Sequence, residues 1–163
     1  MASGRNIQLT KQIGEYLVAC ELARRGYLSA TFSGNVPEFD IVATNQDGKT
    51  KLIQVKTING GSWQFSIDRF IAIEMEGNKQ KLKHKIEQPI KDLICIFVYL
   101  GKKYGEDEFY IIKWSELQDI LIQHHMKCLE KHHGERPKNK TSMHCGLQKK
   151  NITIYQDKWE NID

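Results

Sequence analysis

Gly34-Asn35-Val36-Pro37-Glu38-Phe39-Asp40-Ile41-Val42-Ala43, a polar Thr44-Asn45-Gln46-Asp47-Gly48-Lys49-Thr50, and then Lys51-Leu52-Ile53-Gln54-Val55-Lys56-Thr57-Ile58 form the stretch that decides how this chain folds. Phe39 to Thr44, bounded upstream by Gly34 and Pro37, reads as one strand and Lys51 to Ile58 as the next. The Asp47-Gly48 pair supplies the positive φ that reverses the chain between them, so the two form an antiparallel hairpin. Side chains alternate along a strand, which puts Leu52, Gln54, Lys56 and Ile58 on one face and Ile53, Val55 and Thr57 on the other. Asp40 shares a face with Val42. With the faces matched, Asp40, Gln54 and Lys56 converge. A carboxylate, an amide and an ammonium are costly to bury together unless they satisfy one another or hold something. Together they suit a hard divalent cation and a phosphate.

Upstream, Gln8 to Gly26 reads as a helix, with Thr10 as cap and Gly26 as stop. Ile13, Leu17, Cys20 and Arg24 form one stripe, flanked by Leu9, Tyr16, Ala23 and Tyr27. Glu15 lies nearly opposite, with Val18, Ala19 and Leu22. Apolar residues on two sides predict a helix packed on both, with Glu15 partly buried and in want of a cation. The plainer reading of Glu15 is a carboxylate favoured by the helix N-terminus.

An acid at the head of one strand followed by Gln-Val-Lys on the next resembles the PD-(D/E)xK nuclease superfamily. Pro37, Asp40, Gln54 and Lys56 are the matching positions, and Glu15 fills the helix-borne acid. The match covers roughly the first third of the chain. Two departures stand out: Glu38 and Phe39 separate Pro37 from Asp40, and Gln54 replaces the usual second acid. A Gln-x-Lys variant of this kind resembles some restriction-type and intron-encoded homing endonucleases of the superfamily. The resemblance implies hydrolysis of DNA phosphodiesters with Mg²⁺, for which Mn²⁺ could substitute. Asp40 would be the main anionic ligand, with Gln54 Oε1, the Val55 backbone carbonyl and Glu15 completing the set. Lys56 would hold the attacking water and stabilise charge growing on the phosphate.

The 163 residues carry a formal charge of +4, modest for a nucleic-acid-binding domain. Two basic runs without balancing acids concentrate it, Lys79 to Lys85 and Arg136 to Lys150. Lys79, Lys81, Lys83 and Lys85 are candidate phosphate contacts, or else solvated surface. No stretch approaches the ~20 apolar residues of a membrane span. The polar first residues lack a secretory h-region, which makes the cytoplasm the expected compartment. Cys20, Cys95, Cys128 and Cys145 include no Cys-x-x-Cys pair and read as reduced thiols. His124, Cys128 and His132 share one side of a helix, and His125, His133, His144 and Cys145 lie nearby. Zinc is not expected there, because ligands on successive helical turns diverge and known zinc modules gather theirs from separate turns and strands.

Farther on, Leu28 to Ser33 and Trp63 to Ser66 read as strands. Asp68 to about Ile73 reads as a helix, and Glu74 to Gln88 as a loop or short exposed helix. The continuous apolar run Leu93 to Leu100 reads as the central strand, with Glu108 to Trp114 beside it. Ser115 and Gln118 form a capping box for a helix to about His133, stopped by Gly134 and lined by Leu117, Ile120, Leu121, Cys128 and Leu129. The expected fold is α/β: a mixed sheet of about five strands flanked by helices, matching the αβββαβ core that the resemblance implies. One domain spans 1–163, with a core of about 8–134, a Lys-rich loop at 135–150, and 151–163 docking back. The function expected is a metal-dependent endonuclease acting on DNA as a homodimer or higher symmetric oligomer, since one site cuts one strand. The alternatives are a nuclease fold that binds nucleic acid with little or no cutting, and a structural or interaction domain holding a buried Asp40–Lys56 pair.

Overall fold

The reversal after Thr44 forms as the Asp-Gly pair dictates. Gly48 has φ +78°. Its N–H bonds Asn45 O at 3.0 Å, while Lys49 N–H bonds Asn45 Oδ1 at 2.9 Å. The computed structural model describes residues 4–32 and 38–163, so Gly34 and Pro37 lie outside the described residues. In chain order the elements are α1 (Gly4–Arg24), β1 (Leu28–Thr31), β2 (Ile41–Thr44), β3 (Thr50–Ile58), β4 (Trp63–Ser66), β5 (Ile71–Glu76), β6 (Lys79–Lys85), β7 (Ile94–Tyr99), β8 (Glu108–Lys113), α2 (Trp114–Lys131) and β9 (His144–Leu147). The residues gather into two compact units. One contains residues up to Gly61, Ile90–Trp114 and Ile152–Asp163; the other contains Ser62–Pro89 and Ser115–Asn151.

The first unit is a five-stranded mixed sheet in the order β1-β2-β3-β7-β8. β3 is antiparallel to β2 and parallel to β7, and β8 runs antiparallel to β7. Val18 and Leu22 of α1 pack with Ile41, Ala43, Ile53, Val55, Ile94, Ile96, Val98 and Ile111 in one core. Each of the Val, Leu and Ile side chains among them contributes about 1.5–3 kcal/mol on full burial. α1 therefore covers the Ile53–Val55–Thr57 face. The opposite face carries Gln54 beside Cys95 and Lys56 beside Phe97. Trp159 from the C-terminal turns packs against Phe109 and under the Arg25 guanidinium, 4.2 Å from its ring centroid.

The second unit pairs β4 with β9 and β5 with β6, both antiparallel. Trp63, Phe65, Ile67, Leu117, Leu121 and Leu147 are buried in it. Gln118 donates to the carbonyls of Phe70 (2.7 Å) and Ile86 (2.9 Å), fastening α2 to the end of the hairpin.

Several local expectations change. α1 starts at Gly4, so Thr10 lies inside it and bonds back to Asn6 O at 2.8 Å instead of capping. Only its Glu15–Val18–Leu22 side is buried; Leu9, Ile13 and Tyr16 are exposed. The predicted helix after Asp68 is a single 3-10 turn, Ile67–Arg69, followed by β5. The predicted loop at 74–88 is the β5–β6 hairpin, and the 135–150 loop contains β9, which supplies β4 with its partner. The run at 93–100 is a strand buried on both faces, but β3 is the central one. α2 already includes Ser115, and the Gln118 amide is turned to Phe70 and Ile86. Its buried side includes Gln118 and His125, whereas Ile120 and Cys128 are only half-buried. α2 does end near Gly134, whose φ of +89° lets its N–H reach Leu129 O at 2.7 Å.

Candidate active site

The β2–β3 ladder ends where Asp40 N–H bonds Ile53 O at 2.8 Å. Two residues on, β3 presents Val55 N–H on the same flank, and the Asp40 side chain takes it: Oδ2 accepts at 2.8 Å. A carboxylate oxygen thus stands in for a strand carbonyl. The N–H and C=O of one strand residue point to the same flank, so the Val55 carbonyl also faces the Asp40 side. Gln54 and Lys56 project from the face opposite α1. Their neighbour Cys95 feels both charges of the site. Burial pushes its thiol up to about 12, with Lys56 pulling down and Asp40 pushing up. Gln54 Nε2 lies 3.5 Å from Glu38 O, a long contact to the chain just ahead of Asp40.

Glu15 reaches this point from α1 because the helix lies unusually close to the sheet. A Cβ on Gly14 would stand 1.8 Å from Thr57 Oγ1, so only glycine permits the approach. Thr57 Oγ1 is buried there without a hydrogen-bond partner. Glu15 is 8% exposed. Burial and then the negative charge of Asp40 raise its pKa, and the Lys11 ammonium partly offsets them. That ammonium, one helical turn before Glu15, lies 3.1 Å from Asp40 Oδ1 and 3.5 Å from Glu15 Oε1. Burial pulls Lys11 down, but its hydrogen bond to Asp40 and the two carboxylate charges outweigh that and raise it. Sequence reading missed Lys11. Its only local signal was the i, i+4 spacing to Glu15.

Asp40, Glu15 and the Val55 backbone therefore meet at one place, with Gln54 and Lys56 on adjoining positions of β3. Asp40 is also ion-paired with Lys11, a partner that none of the sequence readings of this site included. Lys79, Lys81, Lys83 and Lys85 line the outer face of β6 in the second unit. They are not unbalanced: Lys81 pairs with Glu76 at 2.6 Å, Lys83 with Glu74, and Lys85 with Asp119. The acids come from the neighbouring strand and from α2, out of sight of a local charge count.

In the histidine-rich region, His125 Nε2 faces Gln80 Oε1 at 2.8 Å and Cys128 Sγ accepts from Arg136 at 3.1 Å. Cys145 Sγ lies 3.7 Å from His124 Nδ1. Among the described residues, no three His, Cys, Asp or Glu side chains group so as to hold a metal ion. A cation at Asp40 would therefore rely on two carboxylates and neutral oxygens. The donor chemistry fits a hard divalent ion: both carboxylates already converge on one positive nitrogen, and Asp40 Oδ1 remains available beside the pinned Oδ2. No helix among the described residues is long and apolar enough to cross a membrane.

No protein-family model matches the chain, and no curated protein matches it in sequence. Its backbone is similar to the solved structure of a bacterial homing endonuclease, I-Ssp6803I, with a TM-score of 0.50 over 98% of this chain and 92% of that one. Sequence identity is 12%, so the likeness is one of fold: a mixed α/β fold similar to that of a homing endonuclease.

Proposed function

We propose that the chain is a metal-dependent endonuclease of the PD-(D/E)xK type, hydrolysing phosphodiester bonds in DNA. The observation that carries the reading is the convergence of Glu15 and Asp40 on a single cation position, at the point where β2 parts from β3 and beside the Gln54-Val55-Lys56 run. The endonuclease-like fold supports it. Asp40 Oδ1 and the Val55 carbonyl would hold Mg²⁺ where β2 parts from β3, with Glu15 reaching it from the α1 face and Gln54 Oε1 from the other face of β3, and Mn²⁺ would serve as a substitute. When bound, such an ion supplies positive charge to the phosphate and acidity to water. Lys56 donates hydrogen bonds to the attacking water and to the phosphate oxygen on which charge grows. The Val55 N–H fixes the Asp40 carboxylate, so little reorganisation accompanies the reaction. Because one site cuts one strand, the working form contains at least two copies in symmetric arrangement.

Nicking of supercoiled plasmid with Mg²⁺ and with Mn²⁺ tests this directly. Wild type should nick in either ion. Lys56→Ala should fold, bind DNA and cleave about a hundredfold or more slowly, as when a donor to a transition-state oxyanion is lost. Full activity in Lys56→Ala would remove that residue from the mechanism, and a wild type inert in both ions would remove the nuclease assignment.

A further inference from the structure

We propose that Lys11 is the resident counter-cation of the site: its ammonium occupies the seat between Glu15 and Asp40 that a divalent ion takes, and binding of the ion exchanges one for the other. The proposal rests on the reading of these two carboxylates as metal ligands. Three features of the geometry carry it. The ammonium lies within 3.5 Å of an oxygen of each carboxylate, so it already neutralises the pair. Asp40 spends Oδ2 on Val55 N–H, leaving Oδ1 for a cation, and Oδ1 is the atom Lys11 contacts. The Lys11 side chain is 53% exposed, against 10% and 14% for Glu15 and Asp40. The cation can therefore leave while its partners cannot.

In the metal-free protein the two carboxylates repel each other, and the Lys11 ammonium offsets that repulsion, while the core packing of Val18 and Leu22 holds the helix on the sheet with or without it. A divalent ion makes contacts of about 2.0–2.6 Å, shorter than an ammonium's, and brings twice the charge. It would draw the carboxylates in and release the lysine stem to solvent. The lysine lowers apparent metal affinity by having to be displaced, which separates this role from that of a mere surface ion pair.

The test is Mn²⁺ binding, read as loss of the free-ion paramagnetic resonance signal, with no cleavage assay involved. Wild type, Lys11→Met, Lys11→Arg and Asp40→Asn are compared. Lys and Met have similar helix propensities, and Asn retains an oxygen for Val55 N–H, so folding is preserved. Lys11→Met should bind Mn²⁺ about two- to fivefold more tightly than wild type, the scale expected from losing one partly exposed ion pair. Lys11→Arg should bind no more tightly than wild type, and Asp40→Asn at least tenfold more weakly. If Lys11→Met gains nothing, or Lys11→Arg gains as much, while Asp40→Asn still weakens binding, Lys11 is no competitor and the proposal falls with the metal site intact. If neither wild type nor Lys11→Met takes up Mn²⁺, or Asp40→Asn binds as wild type does, the site reading itself fails.

Discussion

Gly14 sets how near α1 comes to β3, and so whether Glu15 reaches Asp40 at all. Gly14→Ala gains about 1 kcal/mol of helix propensity, but it puts a methyl 1.8 Å from Thr57 Oγ1 and 2.8 Å from Thr57 Cβ. The neighbour is a β-branched residue of the central strand, stiff at χ1, with little room to yield. Overpacking of this kind costs roughly 1–3 kcal/mol, and the overlap is severe enough that the net effect should be a loss of about that size in urea unfolding. A variant as stable as wild type would mean that the helix does not approach the strand this closely. At this scale the sequence was informative where function followed a local period. Alternation placed Gln54 and Lys56 on one face, and the Val18–Leu22 stripe put Glu15 inward. Lys11 was invisible because its decisive partner, Asp40, is close only in the folded chain.

The β5–β6 hairpin is the element whose local reading failed most. Lys79-Gln80-Lys81-Leu82-Lys83-His84-Lys85 has too few apolar residues to display a strand's alternation, and most of its side chains are exposed. What makes it a strand is the register with β5, Glu76 opposite Lys79 and Glu74 opposite Lys81. The backbone ladder holds the pair together, and the exposed cross-strand charge pairs only accompany it. By contrast the β2–β3 hairpin was readable, because its turn is written in Asp47-Gly48. The pairing alters what the lysines can do, since those holding glutamates release fewer counterions from DNA. Glu74→Gln with Glu76→Gln should leave the urea unfolding midpoint unchanged, the pairs being exposed. If the hairpin lies along the DNA, the slope of log affinity against log salt should steepen by about two. Fluorescence anisotropy at several salt concentrations measures this, and an unchanged slope would place the hairpin away from the phosphate backbone.

For the molecule as a whole, the sequence disclosed the mixed sheet but not the division into two units. The apolar run at 93–100 announces a buried strand, and strand-to-strand parallel pairing with β3 demands a long crossover. The crossover consists of β4, a turn and the β5–β6 hairpin instead of a helix, and its contacts with 115–151 are too distant in sequence to be read locally. The second unit also has its own vulnerability to acid. Gln80 Nε2 donates to Lys140 O at 2.8 Å and to Ser142 O at 3.1 Å, so Oε1 is the atom left to accept from His125 Nε2. The histidine is thus neutral, with Nδ1 bare and buried. Burial, then the positive charges of Arg136 and His124, lower its pKa from 6.5 to about 4. The unfolded chain therefore binds the extra proton first. This contribution is complete above about pH 6.5 and is lost as pH falls towards 4, a cost on the order of 3 kcal/mol. Urea unfolding between pH 7 and 4.5 should show the decline in wild type and a shallower one in His125→Gln, which keeps a donor for Gln80 but does not titrate. Parallel declines would exonerate His125.

Because one oxygen of Asp40 completes the backbone bonding of the central strand, the residue serves two masters. Under the proposed nuclease reading, a lineage released from selection for cutting would be free to lose Lys56 and Glu15, yet it would still lose folding stability with the carboxylate or amide oxygen at position 40. Decay of activity should therefore leave a fossil in which the acid at the head of β2 survives. In surveys of distant descendants, Asp40 would mark shared ancestry, and Lys56 together with Glu15 would mark a working enzyme.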